Sequence, residues 1–406
     1  MSGLRGVARE ATRQATRQAR IAAPHLSKNT TQALATEMPN YANSDAVPLV
    51  HAAVARYCDP YLQQTLAEAK ALQHLRVTET EVSGTIELGL PVLGYLDQFR
   101  SSLGSHLTAA GYPGLKMSFE LHSAIAAHSV QRPLKPMPGV SNIVAVASGK
   151  GGVGKSTVAA NLALAWAAAG ARVGILDADI YGPSQPMMMG LVGQRPSAPD
   201  GKHLVPLEAH GVKTMSIGFL VDAAQAVVWR GPMVTQALTQ LLGDTSWGEL
   251  DYLVVDMPPG TGDIQLTLAQ RVPVSGALIV TTPQDIALAD ARKGLAMFEK
   301  VSVPVLGIVE NMSLHVCTNC GHIEHIFGAG GGARMAAEYA VQLLGEIPLD
   351  ARVREEADGG TPTVISAPGS ARAAAYIEMA RHTAGALSRR GLDRRGQFPQ
   401  IVVEDS

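Results

Sequence analysis

From Asn142 onward the chain alternates short, unbroken apolar runs with longer stretches rich in alanine and leucine. The runs cover 143–147, 172–176, 252–255, 277–281 and 305–309. Apolar runs of this length without polar alternation read as strands buried on both faces, and the helical stretches between them supply the cover. The pattern predicts an α/β fold with a doubly wound, mostly parallel sheet. Upstream, 49–57 is helical in pattern, Asp59-Pro60 reads as a helix start and 61–72 as its continuation. Residues 76–90 alternate in two strand-like pieces around Ser83-Gly84, 96–110 is helical and 115–121 is strand-like. These elements predict a small α/β unit over 46–126, a proline-bearing linker over 127–141, the larger domain over 142–388 and a loose tail over 389–406.

Residues 1–45 differ from the rest. Arg5, Arg9, Arg13, Arg17 and Arg20 recur every three or four positions, with Glu10 the single acid among them. That pattern suits an organellar transit peptide, a basic tail, or upstream sequence translated from an early start with Met38 as the natural initiator. It contains no secretory apolar core.

Composition narrows the function classes. A net charge of −2 gives no global field for nucleic acid or anionic lipid, and 4% aromatic residues leave little for stacking on single strands. No apolar run is long enough to span a bilayer. Three cysteines, Cys58, Cys317 and Cys320, do not build a disulfide framework. They fit a reducing compartment, so a cytoplasmic location is expected. Cys58, in an apolar stretch read as helical, is expected to be a buried small hydrophobe.

The strongest chemical signal follows the first apolar run. Gly149-Lys150-Gly151-Gly152-Val153-Gly154-Lys155-Ser156-Thr157 has the spacing G-x-x-x-x-G-K-[ST] between a strand and a helix. Glycines let backbone N–H groups close around phosphate oxygens, and the helix N-terminus adds a positive dipole end. Lys155 is expected on the β- and γ-phosphates of ATP, and the Ser156 hydroxyl on Mg²⁺. Lys150 is an additional lysine that an ordinary loop of this kind does not need. This variant resembles the deviant Walker A of the MinD/ParA/nitrogenase-iron-protein class, in which the early lysine reaches the partner subunit's nucleotide.

Asp256 ends another strand, in Asp256-Met257-Pro258-Pro259-Gly260-Thr261-Gly262-Asp263. It is placed to hold the Mg²⁺ shell through water, with Gly260 sensing the γ-phosphate. Asp177 and Asp179 end a further strand. Asp179 is read as orienting the attacking water and Asp177 as a partner of Lys155 or Mg²⁺; the plainer reading is a capping pair. Asn311 is read as an adenine contact and Pro348 as a surface packing on the ring.

Cys317-Thr318-Asn319-Cys320 places two thiols three positions apart in a polar loop with His315, His322 and His325. An iron–sulfur cubane takes four ligands, which two copies of the chain supply across a two-fold axis. A zinc site composed from the two cysteines and nearby histidines is the main competitor, and a thioredoxin-like redox pair a weaker one.

Several segments now occur together: the deviant loop at 149–157; Asp177-Ala178-Asp179-Ile180-Tyr181-Gly182-Pro183-Ser184; Trp229-Arg230-Gly231-Pro232-Met233; Asp256 to Asp263; Glu310-Asn311-Met312-Ser313; and the cysteine run at 317–332. Over roughly 142–385 the chain resembles the Mrp/ApbC family of P-loop ATPases, the iron–sulfur cluster carrier proteins. The resemblance implies a homodimer that binds and slowly hydrolyses ATP. It implies a [4Fe–4S] cluster held between two C-x-x-C pairs and handed to apo-proteins after delivery by a scaffold or donor. It gives the nucleotide roles to Lys150, Lys155, Ser156, Asp179 and Asp256. Residues 46–126 resemble, more loosely, the small iron–sulfur assembly domain that precedes the ATPase in such proteins. Two alternatives are a MinD/ParA-type positioning ATPase and a zinc-loop ATPase without cluster transfer. The end of the chain, broken by Gly391 and Gly396, lacks the basic amphipathic helix that a membrane positioner needs. Neither nucleic acid nor membrane is expected as a partner.

Overall fold

The computed structural model describes residues 46–78, 80–220 and 231–393. The arginine-rich segment over 1–45, Trp229, Arg230 and the chain beyond Asp393 lie outside the described residues.

The first elements are α1 (Ala46–Ala55), β1 (Cys58–Asp59), β2 (Gln64–Thr65), β3 (Leu72–Val77), β4 (Glu81–Leu88), α2 (Leu96–Ala109) and β5 (Lys116–Ser123). β3 and β4 are antiparallel, and β5 joins β4 in parallel. Val82, Ile86 and Leu88 of β4 and Phe99, Leu103 and Leu107 of α2 are buried in the apolar core.

Three local expectations are corrected here. Residues 61–72 do not continue a helix. The Asp59 carboxylate accepts from the N–H groups of Tyr61 and Leu62 at 2.9 and 3.0 Å and from the Tyr95 hydroxyl at 2.7 Å, which fixes a turn. Gln63 and Lys70 then take left-handed backbone angles that no helix interior accepts. The hairpin turn lies between Val77 and Glu81, not at Ser83-Gly84. Gly84 sits within β4 because a Cβ there would stand 2.2 Å from the His74 carbonyl oxygen. Cys58 is exposed on β1, not buried in a helix.

The larger sheet is built from β6 (Val140–Ala147), β7 (Val173–Asp177), β8 (Leu207–Ala209), β9 (Val212–Ser216), β10 (Leu250–Asp256), β11 (Gly276–Thr281), β12 (Val305–Asn311) and β15 (Gln342–Ile347), in the order β15-β12-β11-β6-β10-β7-β9-β8. All neighbours are parallel except β8, which returns antiparallel to β9. The helices are α3 (Lys155–Ala168), α4 (Gln185–Met188), α5 (Gly231–Gly243), α6 (Asp263–Arg271), α7 (Asp285–Lys300), α8 (Gly331–Glu338), α9 (Ala351–Asp358), α10 (Thr363–Ser366) and α11 (Ala371–Ser388). A two-stranded hairpin, β13 (His315–Val316) and β14 (Ile323–Glu324), projects after β12. Helix α3 is buried from Val158 to Trp166 and apolar there except for Asn161, whose amide donates to the Thr157 carbonyl at 3.0 Å and accepts from Val364 N–H at 3.1 Å, as a helix enclosed by other elements requires.

The first unit is seated on α11. Arg381 donates to Gln98 at 2.8 Å and to the Gly94 carbonyl at 3.0 Å, and its guanidinium lies 4.9 Å from the Tyr95 ring centroid. The Tyr61 hydroxyl donates to Glu378 at 2.6 Å, and burial pushes that phenol up to about 12. Arg389 donates to the Leu62 carbonyl at 2.7 Å, and Ser129 N–H donates to the Gly391 carbonyl at 2.9 Å. The first residues assigned to a loose tail, 389–393, are therefore tied to the body. In the proline-bearing connection, Gln131 donates to the carbonyls of Ala269 and Val272, both at 2.7 Å.

Gly385 is where α11 meets the first unit, since a Cβ there would stand 2.1 Å from the Tyr61 carbonyl oxygen. Gly385→Ala is expected to destabilise the protein by about 1–3 kcal/mol, the cost of overpacking. Gly391→Ala, whose Cβ meets only Ser129 Oγ at 3.6 Å, serves as the neutral control. Denaturant midpoints for the two variants check this, and equal midpoints would contradict the close approach.

Candidate functional site

The carboxyl ends of β6, β10 and β7 lie side by side, with Asp256 registered against Val146 on one side and Asp177 on the other. In open parallel sheets this edge is where ligands bind. The loop 148–154 leaves β6 and turns into α3 through Gly152 and Gly154, whose φ angles of 82° and 80° favour glycine. Gly149 lets the loop touch α7: a Cβ there would stand 2.1 Å from the Asp290 carbonyl carbon. The Ser148 carbonyl accepts from Gly260 N–H at 2.9 Å, joining the loop to the turn after Asp256.

A cleft of about 250 Å³ opens above this loop. It brings together Lys150, Gly151, Gly152, Gly154, Lys155, Ser156, Thr157 and Asp179 from the sequence-predicted set. Lys155 is 6% exposed and pairs with Asp256, which is fully buried. Its ammonium also donates to Ser156 Oγ at 3.1 Å. An ammonium, a hydroxyl and a buried carboxylate thus converge at the start of a helix. That donor set fits a triphosphate with Mg²⁺, and Ser156 and Asp256 are the residues that would hold the metal.

Asp177 does not pair with Lys155. Its carboxylate accepts from the N–H groups of Asp179, Ser184 and Gln185 at 3.1, 3.0 and 3.0 Å and from the Ser216 hydroxyl at 3.1 Å. It is the capping carboxylate that shapes the 178–184 loop. Burial, then the charge of Asp256, pushes its pKa up to about 7. Asp179 is half-buried in the cleft wall, and burial holds its carboxyl above the usual range against the opposing pull of Lys155.

Asn311 lies behind the loop, and its side-chain amide donates to the Val153 carbonyl at 2.8 Å. Pro348 follows β15 and is not among the residues lining the cleft. Gln185 went unnoticed in the sequence. It is fully buried and donates to the Ser156 carbonyl at 3.1 Å and to Asp256 at 2.9 Å, so Asp256 is held by two donors. The only sequence signal was its place directly after the run ending at Ser184.

The cysteines occupy the loop between β13 and β14. Cys317 N–H donates to the His322 carbonyl and Gly321 N–H to the Cys317 carbonyl, both at 2.9 Å. Gly321 has a φ of 72°, which glycine tolerates. The N–H groups of Asn319 and Cys320 face the Cys317 sulfur and lower its pKa, favouring the thiolate that binds metal. Cys320 is exposed, as are Val316, Ile323 and Ile326 beside it. His315 and His325 are tethered through Nδ1 to the carbonyls of Leu349 and Ser313, each at 3.0 Å. Among the described residues no three His, Cys, Asp or Glu side chains come together as a metal site. The structure therefore does not assemble the one-chain zinc set that the spacing allowed.

A depressed thiol pKa has a kinetic signature. Alkylation of Cys317 in metal-free protein is expected to rise with pH along a curve centred below the ordinary thiol value of about 8.5, because the thiolate is the nucleophile. Mass spectrometry of iodoacetamide-labelled peptides across pH measures this, and a midpoint at or above the ordinary value would contradict the N–H contacts.

The family model for a NUBPL iron-transfer P-loop NTPase of the ParA group matches residues 139–384. An iron–sulfur cluster carrier protein of Escherichia coli K12 is 52% identical over 342 residues, which is 84% of this chain and 92% of that protein. One from Pseudomonas fragi is 62% identical over 262 residues, 64% of this chain and 91% of its own length. Among solved structures, a nucleotide-binding protein from Archaeoglobus fulgidus in complex with ADP is 42% identical, with a TM-score of 0.50 over 55% of this chain and 87% of that one. No helix among the described residues is long and apolar enough to cross a membrane.

Proposed function

Because the chain belongs to the ParA-type P-loop ATPases that include the iron–sulfur cluster carrier proteins, we propose that it is an ATP-hydrolysing carrier that receives a [4Fe–4S] cluster from a scaffold or donor and delivers it to apo-proteins. The observation that carries this reading is the exposed two-thiol loop with no third protein ligand beside it among the described residues. Two thiolates satisfy half of a cubane. A second copy of the chain, related by a two-fold axis, supplies the other half, and the exposed Val316, Ile323 and Ile326 give the contact an apolar rim.

The lining of the cleft supports these nucleotide roles. The N–H groups of 150–155 and the Lys155 ammonium bind the β- and γ-phosphates. Ser156 and Asp256 would hold Mg²⁺, which when bound would neutralise phosphate charge. Asp179 positions a water in line with the γ-phosphorus; its oxygen bonds to phosphorus as the bond to the β–γ bridging oxygen breaks, leaving ADP and phosphate. Lys150 lines the cleft and reaches the nucleotide of the second copy. Residues 46–126 act as an assembly-like module seated on α11. The carrier works in the cytoplasm, with neither nucleic acid nor membrane as a partner.

Anaerobic reconstitution with iron and sulfide tests this reading. About four irons per dimer with a broad charge-transfer absorption are expected. Zinc at one per chain without that absorption would overturn it.

A further inference from the structure

We propose that Glu310 and Asn311, neighbours at the carboxyl end of β12, are the positioning residues that link the phosphate loop to the cysteine hairpin. The inference rests on the carrier reading above. Successive side chains on a strand face opposite ways, and these two reach different parts of the molecule. Asn311 donates to the Val153 carbonyl at 2.8 Å and sits against Gly154, where an added Cβ would stand 2.2 Å from its Nδ2. Gly154 immediately precedes Lys155, so the amide touches the loop where phosphate binds.

Glu310 faces the start of α8. Its carboxylate accepts from Gly332 N–H and lies close to that of Gly330. The glycines there make the approach possible. A Cβ on Gly332 would stand 2.9 Å from Glu310 Cβ, and one on Gly331 would stand 2.7 Å from Leu288 Cδ1 and 2.8 Å from the Pro283 carbonyl oxygen. The excursion bearing Cys317 and Cys320 therefore departs immediately after Asn311 and returns onto Glu310. Its outgoing limb is pinned to the next strand, by Ser313 N–H on the Ile347 carbonyl at 3.0 Å and Leu349 N–H on the Leu314 carbonyl at 2.7 Å. Glu310 is 1% exposed and its Oε1 has no hydrogen-bond partner among the described residues, so the hold on the return limb rests on Oε2.

A displacement of the Val153 carbonyl when phosphates fill the loop is thus passed through Asn311 to the adjacent Glu310 and from there to the hairpin. Coupling of this kind is reciprocal between the two sites and has a typical size of about 5-fold or more. Neither residue needs to touch phosphate or cluster.

The test uses the full chain, reconstituted with iron and sulfide. Mg-ADP is titrated to obtain its Kd, and iron is stripped by a ferrous chelator with and without saturating Mg-ADP. In wild type, Mg-ADP is expected to change the chelator concentration that removes half the iron at equilibrium by about 5-fold or more. Glu310→Ala should keep the wild-type Kd for Mg-ADP within about twofold in metal-free protein, while in the iron-loaded protein the response to nucleotide is lost. Glu310→Gln, which retains an acceptor for Gly332 N–H, should restore it. A Glu310→Ala variant with the full wild-type response would overturn the link. A second measurement needs no variant and no iron: hydrogen exchange at the amides of 330–332 should change when Mg-ADP binds wild type, and unchanged exchange there would overturn the link. A wild type that binds no iron yet shows that change in exchange would sink the carrier reading and leave the link standing.

Discussion

Lys155→Ala is expected to lower ATP turnover by roughly 10²–10³-fold or more, the cost of removing one donor aimed at developing charge, while iron loading at Cys317 and Cys320 is kept. Lys155 is the single ammonium buried at the phosphate end of the cleft among the described residues, and it also balances the buried Asp256. Among the described residues, removing it leaves that carboxylate with Gln185 as its remaining donor, beside Asp177 on the neighbouring strand. The variant should therefore be less stable as well as inactive, since a buried charge that loses its partner is costly. The cysteine loop lies at the end of a different strand and should fill normally. Phosphate release and iron content, measured on one preparation whose folded state is checked by circular dichroism, decide the point. A folded variant that loses both functions would show that the two sites are not separable.

Cys317→Ala and Cys320→Ala are each expected to do the reverse, abolishing the reconstituted cluster and leaving ATP hydrolysis within about twofold. A cubane that loses one ligand per chain loses two of four across the dimer, and no nearby histidine or carboxylate forms a substitute set among the described residues. Neither cysteine contributes to the nucleotide cleft. Iron and acid-labile sulfide per dimer provide the measurement. Full iron content in either variant would remove these thiols from the site.

The parts of the fold that were legible are those where one physical signal dominates. The apolar runs became β6, β7, β10, β11 and β12 because strands buried on both faces show no competing polar pattern. The strands β8, β9 and β15 were missed: β8 is a three-residue edge element, β9 is an inner strand whose sequence Val212-Lys213-Thr214-Met215-Ser216 has no apolar run, and β15, at the opposite edge, is only partly buried. The segment at 61–72 was misread because its apolar residues answer to the Asp59 turn and to left-handed positions, contacts that periodicity does not encode. The turn assigned to Ser83-Gly84 failed for a related reason. That glycine answers to the His74 carbonyl across the hairpin and not to a turn.

In the site, the placement of the loop glycines and Lys155 between a strand and a helix was legible, because spacing and flanking elements together set that geometry. Asp177 and Gln185 were not, because deciding between cap and ligand needs the positions of the N–H groups around them. Asp177 is occupied by four donors, and Gln185 bridges Ser156 and Asp256. Cys58 turned out exposed because its neighbours fold into β1 and a turn, so the helix that would have buried it does not form.

The central claim is that the thiol loop carries a cluster for others to use. The measurement that tests it most directly is transfer from the reconstituted protein to an apo-enzyme that needs a [4Fe–4S] cluster, with a ferrous chelator present to intercept free iron. The acceptor should gain activity faster than with equal amounts of iron and sulfide, and the Cys317→Ala protein should give no such gain. An acceptor that stays inactive while the wild-type protein retains its metal would contradict the claim.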